Sequence, residues 1–184
     1  MTKQTVLITG ASGFIGTELI ARINKKYDII GIDKTLHNDR DSSVLWYKAD
    51  ISDKKLLQDI FRKIEAKVSG KIDYVFHLAA YYDMTNKANR MYREINENGT
   101  RYLLENLIHF TVNNFVFVSS TVVFRPTIGN DKLNENSALS SFMHYGNSKI
   151  AGEKIITEYK EKLKATIFRL SAVYSKDCRS IPLA

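Results

Sequence analysis

Tyr145 and Lys149 have the residue types and the spacing that proton transfer requires. They are four residues apart, so on a helix both side chains project from the same face. A phenol has a pKa of about 10, and a nearby ammonium group favours the phenolate, which makes the tyrosine a competent general base and its phenol a competent acid. Because Tyr-x-x-x-Lys also occurs on many amphipathic helices, the pair needs support from its surroundings.

A serine completes the candidate catalytic set. Ser120 ends an apolar run, residues 114–120, that predicts a strand. Its hydroxyl could hydrogen-bond a carbonyl or hydroxyl oxygen of a substrate and direct that oxygen toward Tyr145. Lys149 could at the same time hold the ribose hydroxyls of a nicotinamide cofactor, and hydride would move to or from the nicotinamide ring. This chemistry requires a dinucleotide-binding fold.

A glycine triplet near the N-terminus supplies a candidate cradle for that dinucleotide. Gly10, Gly13 and Gly16 follow the apolar run 6–8 and precede a helical apolar pattern. The first glycine permits a tight turn, the second lets a pyrophosphate approach the main chain, and the third lets the helix pack closely on the strand. Free N–H groups and the helix dipole favour phosphate there. The glycines alone would also fit a turn without a ligand.

An acidic residue lies where the ribose of such a cofactor would bind. Asp33 ends the predicted strand Tyr27–Asp33, about twenty residues after the glycines, and its carboxylate can accept hydrogen bonds from both adenosine ribose hydroxyls. This favours NAD. Lys34 and Arg40 leave NADP open, because a cation there could accept a 2′-phosphate.

The elements that must position these residues alternate along the chain. Further strands are predicted at residues 44–47, 72–80, 114–120 and Ala165–Leu170, and helices from residue 14 to about 24–26, over 56–64, 88–108 and 145–163. Ser52 is the expected N-cap of the second helix. The alternation predicts an α/β fold, a doubly wound parallel sheet (Rossmann fold) in three α/β/α layers. Residues 125–141 are rich in turn formers and predict a loop over the cleft.

Composition narrows the function classes. The 184 residues fit one domain, and the net charge of +7 comes from 27 basic and 20 acidic residues spread along the chain. Since no basic run stands out, the sequence does not predict nucleic-acid binding, and the excess charge suits anionic ligands. No apolar stretch has membrane-spanning length, so we expect a cytoplasmic protein. One cysteine, Cys178, and four scattered histidines predict neither a disulfide nor a metal site.

Together these motifs resemble the extended short-chain dehydrogenases/reductases of the NAD-dependent epimerase/dehydratase family. Residues 9–16 are similar to its glycine motif, Asp50 and Ile51 to the pair that contacts adenine, and residues 77–80 to the segment that lies against the cofactor. Residues 169–174 resemble the segment beside the nicotinamide. The resemblance assigns Ser120, Tyr145 and Lys149 to the catalytic triad. It implies cofactor contacts from Gly10, Ser12, Gly13, Phe14, Ile15, Gly16, Asp33, Asp50, Ile51, Leu78, Ala79, Ala80, Asn96, Tyr145 and Lys149.

The resemblance implies an NAD(P)-dependent oxidoreductase or epimerase that acts on a carbonyl/alcohol pair in a small molecule such as a nucleotide sugar. Family 4,6-dehydratases carry an Asp-Glu pair directly after the catalytic hydroxyl residue, whereas this chain has Thr121 and Val122. A dehydratase of that type is therefore not expected. Family members commonly pair through the helices that include the one carrying the catalytic tyrosine, which implies a possible homodimer.

We expect the sequence to lack the family's substrate domain. Family members continue for well over a hundred residues after the segment that resembles 169–174, so residues 1–184 are expected to form a single NAD(P)-binding domain that stops before the substrate domain. A fragment, a truncated or frameshifted product, and a small variant completed by a partner remain open. The alternative function is a non-catalytic NAD(P)-binding module, for redox sensing or protein interaction.

Overall fold

The computed structural model describes residues 3–37, 40–83, 85–127 and 132–174. Within these ranges the chain forms the strands β1 (Gln4–Thr9), β2 (Tyr27–Asp33), β3 (Leu45–Lys48), β4 (Lys71–His77), β5 (Thr111–Ser120) and β6 (Ala165–Leu170). The helices are α1 (Phe14–Ile23), α2 (Lys54–Val68), α3 and α4 (His144–Glu158). Helix α3 is π-helical over Tyr92–Gly99 and α-helical over Thr100–Leu107, and a single 3-10 turn, Thr121–Val123, follows β5.

The strands form one parallel sheet in the order β3-β2-β1-β4-β5-β6. The chain starts at the centre of the sheet, winds outward to β3, returns across β1 to β4 and then winds outward again. Thr9 at the end of β1 pairs in register with Ile32 on one side and His77 on the other. The predicted doubly wound Rossmann sheet is confirmed, and ligands bind in such sheets at the carboxyl ends where the strand order reverses.

Helices cover the two faces of the sheet unequally. Helix α1 packs through Ile20 against Val6 and Ile8 of β1 on one face. On the other face α2, α3 and α4 share a larger core, to which α2 contributes Leu57, Ile60, Phe61 and Ile64. Because the central strands are covered on both faces, they are continuous apolar runs rather than alternating ones. The expected three layers are therefore present, with one described helix in one outer layer and three in the other.

Several local predictions were wrong, among them the end of α4, which lies at Glu158 rather than at residue 163. Asp53, not Ser52, caps α2, since its carboxylate accepts a hydrogen bond of 2.9 Å from the Leu56 amide. Strand β4 ends at His77 rather than at residue 80, because residues 78–80 leave the sheet along the cleft. The long helix expected over 88–108 begins later, and its first half has π-helical geometry, which often marks functional sites.

Candidate functional site

The loop between β1 and α1 crosses the carboxyl end of the sheet as the glycine spacing predicts. Gly10 has a φ of +69°, a region that favours glycine. A Cβ at this position would lie 2.6 Å from the Ala79 backbone nitrogen, so no other side chain fits there without a shift. The Gly10 amide donates to the Ile32 carbonyl oxygen at 2.9 Å, and the Gly13 amide donates to the Gly10 carbonyl oxygen at 3.1 Å. The loop is thus fixed against both neighbouring strands.

The carboxylate of Asp33 is held at the end of β2 by two backbone amides. Ser12 N–H donates to Oδ2 at 2.9 Å, and Thr35 N–H donates to Oδ1 at 3.0 Å. The first of these bonds ties the glycine loop to β2. The acidic group therefore has one orientation at the edge of the cleft, and each oxygen keeps a lone pair for a further donor.

A cleft of about 370 Å³ opens between this loop and the strand ends. Nine of the predicted cofactor-binding residues line it: Gly10, Ser12, Gly13, Asp33, Asp50, Ile51, Leu78, Ala79 and Ala80. Thr35, His37 and Ile95 also line it and were not singled out from the sequence. The position of Thr35 just after Asp33 was the available signal, whereas Ile95 lies far along the chain and reaches the cleft only through the packing of α3.

Six predicted cofactor-binding residues are not part of the cleft lining, among them Tyr145 and Lys149 of α4. Phe14, Ile15 and Gly16 form the first turn of α1 and are not part of the cleft lining. Gly16 is buried where a Cβ would lie 2.7 Å from the Ala11 carbonyl oxygen, so it serves close packing of the helix on the loop. Asn96 is 2 % exposed and hydrogen-bonds only inside the described protein.

The cradle has the features that an anionic group requires. Helix α1 has no side-chain hydrogen bond at its N-cap and no acidic residue in its first turn, so its first amides remain available. Among the described residues, Ser12 Oγ is the one buried side-chain polar atom without a hydrogen-bond partner. Buried polar atoms are rarely left unpaired, so an unpaired hydroxyl in a cleft calls for an external partner. These residues fit a dinucleotide phosphate.

Asp50 follows β3 in the cleft lining, next to Ala49, whose amide donates to the Asp33 carbonyl oxygen at 2.9 Å. Asp50 Oδ1 accepts from the Ser52 amide at 2.9 Å and from the Ser52 hydroxyl at 2.7 Å. Ser52 therefore orients Asp50 instead of capping α2. Beside it, Ile51 is buried and packs closely on α3, since a Cβ on Gly99 would lie 2.8 Å from the Ile51 Cδ1.

The first turn of α4 brings Tyr145 close to the end of β5. A Cβ on Gly146 would lie 2.6 Å from the Val122 carbonyl oxygen, so the helix begins directly against the 3-10 turn that follows Ser120. Ser120 Oγ accepts from the Val122 amide at 3.4 Å. Within the described ranges no hydrogen bond joins Ser120 to Tyr145, so the structure places the two side chains in one region without linking them.

Lys149 is 2 % exposed and lies beneath Tyr145 on the same face of α4. Its Nζ is 4.5 Å from the centroid of the Phe117 ring and 5.8 Å from that of the Tyr145 ring. Burial lowers the pKa of Lys149 to about 7, and the nearby Glu153 carboxylate acts in the opposite direction. The lysine is therefore divided between ammonium and neutral amine near neutral pH.

The phenol of Tyr145 behaves differently from the sequence-based expectation. Burial, together with smaller effects of Tyr82 and Tyr92, raises the pKa of Tyr145 to about 12. The ring of Tyr82 covers it edge to face, with centroids 4.8 Å apart. Lys149 is not among the groups that shift the pKa of Tyr145, whereas the sequence predicted that it would favour the phenolate. In this arrangement the phenol is an acid and not a base.

A directed chain of hydrogen bonds runs from the glycine loop toward α4. Thr100 Oγ1 donates to the Asn96 carbonyl oxygen at 2.7 Å, so it accepts from His77 Nε2 at 2.9 Å. His77 Nδ1 is then the acceptor of the Thr9 hydroxyl at 2.6 Å. Burial, and secondarily Lys149, lowers the pKa of His77 to about 3. His77 is consequently a neutral imidazole with one fixed tautomer.

Asn96 continues this chain to the helix of Tyr145. Its Nδ2 donates to Ser148 Oγ at 2.8 Å and to the Tyr81 carbonyl oxygen at 2.9 Å, and its Oδ1 accepts from the Tyr81 amide at 2.7 Å. Ser148 Oγ in turn donates to the Tyr145 carbonyl oxygen at 2.7 Å. Asn96 of α3 is thus bonded both to the backbone of Tyr81, just after the cleft residues 78–80, and to Ser148 of α4. A sequence motif alone does not reveal these contacts.

The described residues contain neither a membrane-spanning helix nor a metal-binding cluster. None of their helices is both long enough and apolar enough to cross a membrane. They also contain no group of three His, Cys, Asp or Glu side chains that could hold a metal ion.

Comparisons with known proteins agree with this geometry. The model of the NAD dependent epimerase/dehydratase family matches residues 6–182. A dTDP-D-glucose 4,6-dehydratase of Dictyostelium discoideum is 32% identical over 197 residues, covering 93% of this chain and 44% of that protein. An uncharacterized UDP-glucose epimerase of Bacillus subtilis is 30% identical over 180 residues, covering 92% and 56%.

A solved structure is also similar. UDP-glucuronic acid 4-epimerase from Bacillus cereus, in complex with UDP-glucuronic acid and NAD, matches with a TM-score of 0.73 at 26% identity, over 90% of this chain and 56% of that one. The chain spans about half the length of the curated relatives that it matches. The family model, over residues 6–182, covers both the glycine loop and the Tyr145 helix. The chain belongs to the NAD dependent epimerase/dehydratase family.

Proposed function

We propose that this chain binds NAD in the cleft at the carboxyl end of its sheet and provides the hydride-transfer half of an oxidoreductase or epimerase. The substrate class is a small molecule with a carbonyl/alcohol pair, such as a nucleotide sugar. The observation that carries the proposal is the cradle, in which Gly10 has a left-handed backbone against Ala79 and the buried Ser12 hydroxyl lacks a protein partner. Family membership and the NAD-containing relative support it.

The cofactor preference follows from Asp33. Its two oxygens are oriented by the Ser12 and Thr35 amides, and a carboxylate in this position accepts ribose hydroxyls but repels a 2′-phosphate. Lys34 also lines the cleft and would reduce that repulsion. We therefore propose NAD as the cofactor, with weaker binding of NADP.

A bound NAD supplies a nicotinamide ring that accepts or returns a hydride. In the proposed reaction Tyr145 exchanges a proton with the substrate oxygen, and Ser120 hydrogen-bonds that oxygen. Lys149 binds ribose hydroxyls and balances the negative charge of the phenolate that forms when Tyr145 gives up its proton. With a pKa near 12 the phenol is protonated at neutral pH. It is therefore ready to protonate an alkoxide, whereas action as a base requires that ligands lower its pKa.

The residues after Ser120 favour epimerisation or simple oxidation and reduction over loss of water. Thr121 is exposed and Val122 half-buried in the 3-10 turn. Neither can act as the acid or base that elimination requires, although one similar relative is a 4,6-dehydratase.

We also propose that the protein pairs as a homodimer through the helices that include α4, and sedimentation of the purified chain would measure this directly.

The proposed reaction is tested with UDP-glucose and NAD as probes. We expect the purified chain to form the 4-epimer or an oxidised sugar, detected by NMR. Tyr145→Phe should abolish turnover while it changes NAD affinity by no more than about tenfold, because the phenol hydroxyl contributes a single hydrogen bond. Turnover that persists unchanged in Tyr145→Phe would contradict the catalytic assignment.

A second candidate is an NAD-binding module without turnover. The observation that favours it is the phenol of Tyr145, which is covered by Tyr82 and held protonated rather than activated. In that case the chain would bind NAD with normal stoichiometry and convert neither nucleotide sugars nor simple alcohols. Any product formed by the wild-type chain and absent from Tyr145→Phe would remove this candidate.

A further inference from the structure

A buried ion pair lies one helical turn beyond Lys149 on α4. Glu153 is 4 % exposed, and its carboxylate accepts from Arg169 of β6 at 3.1 Å to Oε1 and 2.8 Å to Oε2. The hydroxyl of Ser119, next to Ser120, donates to Oε1 at 2.6 Å. Three elements therefore meet at one carboxylate, and one of them carries the candidate catalytic serine.

The ion pair also contacts residues 132–140, the segment that precedes α4. Nη1 of Arg169 donates to the Glu135 carbonyl oxygen at 2.8 Å, and the guanidinium lies 5.1 Å from the centroid of the Phe124 ring. The pKa of Arg169 is raised, chiefly by its bond to Glu153, so the guanidinium stays charged. The position of residues 132–140 is thus coupled, through one side chain, to the charge on Glu153.

The negative charge of Glu153 acts on Lys149. Lys149 and Glu153 are four residues apart on α4, and side chains at this spacing are neighbours. The other ionisable groups that face the lysine in the described structure are His77 of β4, which is neutral, and Tyr145, which is protonated. Glu153 is therefore the charged group that acts on Lys149, and the strength of its action depends on how completely Arg169 neutralises it.

We propose that Glu153 and Arg169 are positioning residues for the Tyr145–Lys149 pair: Glu153 stabilises the charged form of Lys149, and Arg169 limits this stabilisation by pairing with Glu153. This inference rests on the proposed function for its role in the reaction. Its consequence is that a shift of the 132–140 loop which draws Arg169 away would raise the fraction of charged Lys149 beside the phenol.

The test follows the side-chain nitrogen and ε-carbon signals of isotopically labelled lysine by NMR as a function of pH, without NAD. Exposed lysines titrate above about pH 10, so one transition near neutral pH identifies Lys149, and it should be missing in Lys149→Met. Glu153→Gln should lower the midpoint and Arg169→Met should raise it, each by about one pH unit. The double variant should return close to the wild-type midpoint.

The opposite signs separate charge balance from a merely structural ion pair. If the pair only held the fold together, both variants would loosen the site and raise the midpoint toward that of an exposed lysine, which would overturn the proposal. Should Arg169→Met fail to fold, Ser119→Ala removes one bond to Glu153 without removing a charge, and it should also raise the midpoint. No shift in Ser119→Ala and Glu153→Gln would overturn it as well.

This titration does not depend on cofactor binding. A chain that fails to bind NAD, but in which Glu153→Gln lowers and Arg169→Met raises the Lys149 midpoint, would contradict the proposed function. It would still support the proposed effect of Glu153 and Arg169 on Lys149. A chain that binds NAD but whose Lys149 midpoint does not change in these variants would support the proposed function and contradict the effect of Glu153 and Arg169 on Lys149.

Discussion

At the scale of single residues, the hydroxyl of Ser12 separates cofactor binding from stability. It is buried without a partner in the described structure, so Ser12→Ala removes an unsatisfied polar group and should leave the free energy of unfolding unchanged within about 0.5 kcal/mol. If the hydroxyl binds a cofactor phosphate, NAD affinity should fall about tenfold. Urea denaturation and calorimetry measure the two effects.

Ser148→Ala is the matched control for Ser12→Ala. The Ser148 hydroxyl accepts from Asn96 and donates to the Tyr145 carbonyl oxygen, so its loss leaves a buried amide donor unpaired. We expect a loss of about 1–3 kcal/mol in stability and a smaller change in NAD affinity than for Ser12→Ala. Equal stability losses in the two variants would show that Ser12 is satisfied in the protein.

His77 predicts a specific acid sensitivity. The unfolded chain binds a proton at His77 near pH 6.5, whereas the folded state does not do so until about pH 3. The unfolded state therefore binds more protons between these values, and stability falls as the pH drops from 6.5 toward 3, with a slope of about 1.4 kcal/mol per pH unit from this one group.

His77→Gln isolates that contribution. It keeps an amide that can donate to Thr100 and has no titration in this range. Urea denaturation at several pH values between 6.5 and 4 should give a shallower loss of stability in the variant than in the wild type. Parallel curves would mean that His77 becomes protonated in the folded protein.

The roles of single residues were predictable where a local motif defines them and not where burial defines them. Asp33 was assigned from its place at the end of a strand after three glycines, and the structure puts its carboxylate at the cleft. The pKa of Tyr145 depends on burial and on Tyr82 and Tyr92, which no local spacing reveals. The internal bonds of Asn96 likewise depend on the backbone of Tyr81 and the hydroxyl of Ser148.

At the scale of elements, the turn between β1 and α1 can be tested with two glycines that share one backbone conformation. Gly10 has a φ of +69° and Gly70 a φ of +73°, but a Cβ on Gly10 meets the Ala79 backbone whereas a Cβ on Gly70 meets nothing within 4 Å. Gly10→Ala and Gly70→Ala should both lose about 1–2 kcal/mol from the left-handed backbone.

Only Gly10→Ala should also displace the cleft wall. We expect a further loss of stability and a loss of NAD binding of at least tenfold in that variant, with unchanged affinity in Gly70→Ala. Thermal unfolding and calorimetric titration of both variants provide the comparison. An NAD affinity that is the same in the two variants would exclude a role for the Gly10–Ala79 contact in the cradle.

The order of the elements followed from the alternation of apolar patterns, because each strand must be buried on both faces and each helix on one. The ends of the elements did not. Asp53 caps α2 because Ser52 is engaged with Asp50, and β4 ends at His77 because the next residues line the cleft. The π-helical half of α3 was not predicted either, and it ends at Gly99, which lies close against Ile51.

At the scale of the whole molecule, the two halves of the site come from opposite halves of the sheet, which meet between β1 and β4. The glycine loop and Asp33 come from β1 and β2, whereas Ser120 and Tyr145 come from β5 and α4. The hydrogen bonds through His77 and Asn96 connect them. A ligand that spans both halves would therefore be positioned by a single rigid network and not by two independent surfaces.

The central claim is that this cleft binds NAD. Calorimetric titration tests it most directly: the wild-type chain is titrated with NAD and with NADP, and the Asp33→Ala variant is titrated with NAD. We predict saturable binding of one NAD per chain, weaker binding of NADP, and at least tenfold weaker NAD binding by Asp33→Ala, whose circular dichroism should remain that of the wild type. A folded wild-type chain that gives no saturable heat with millimolar NAD, or an Asp33→Ala variant with unchanged affinity, would contradict it.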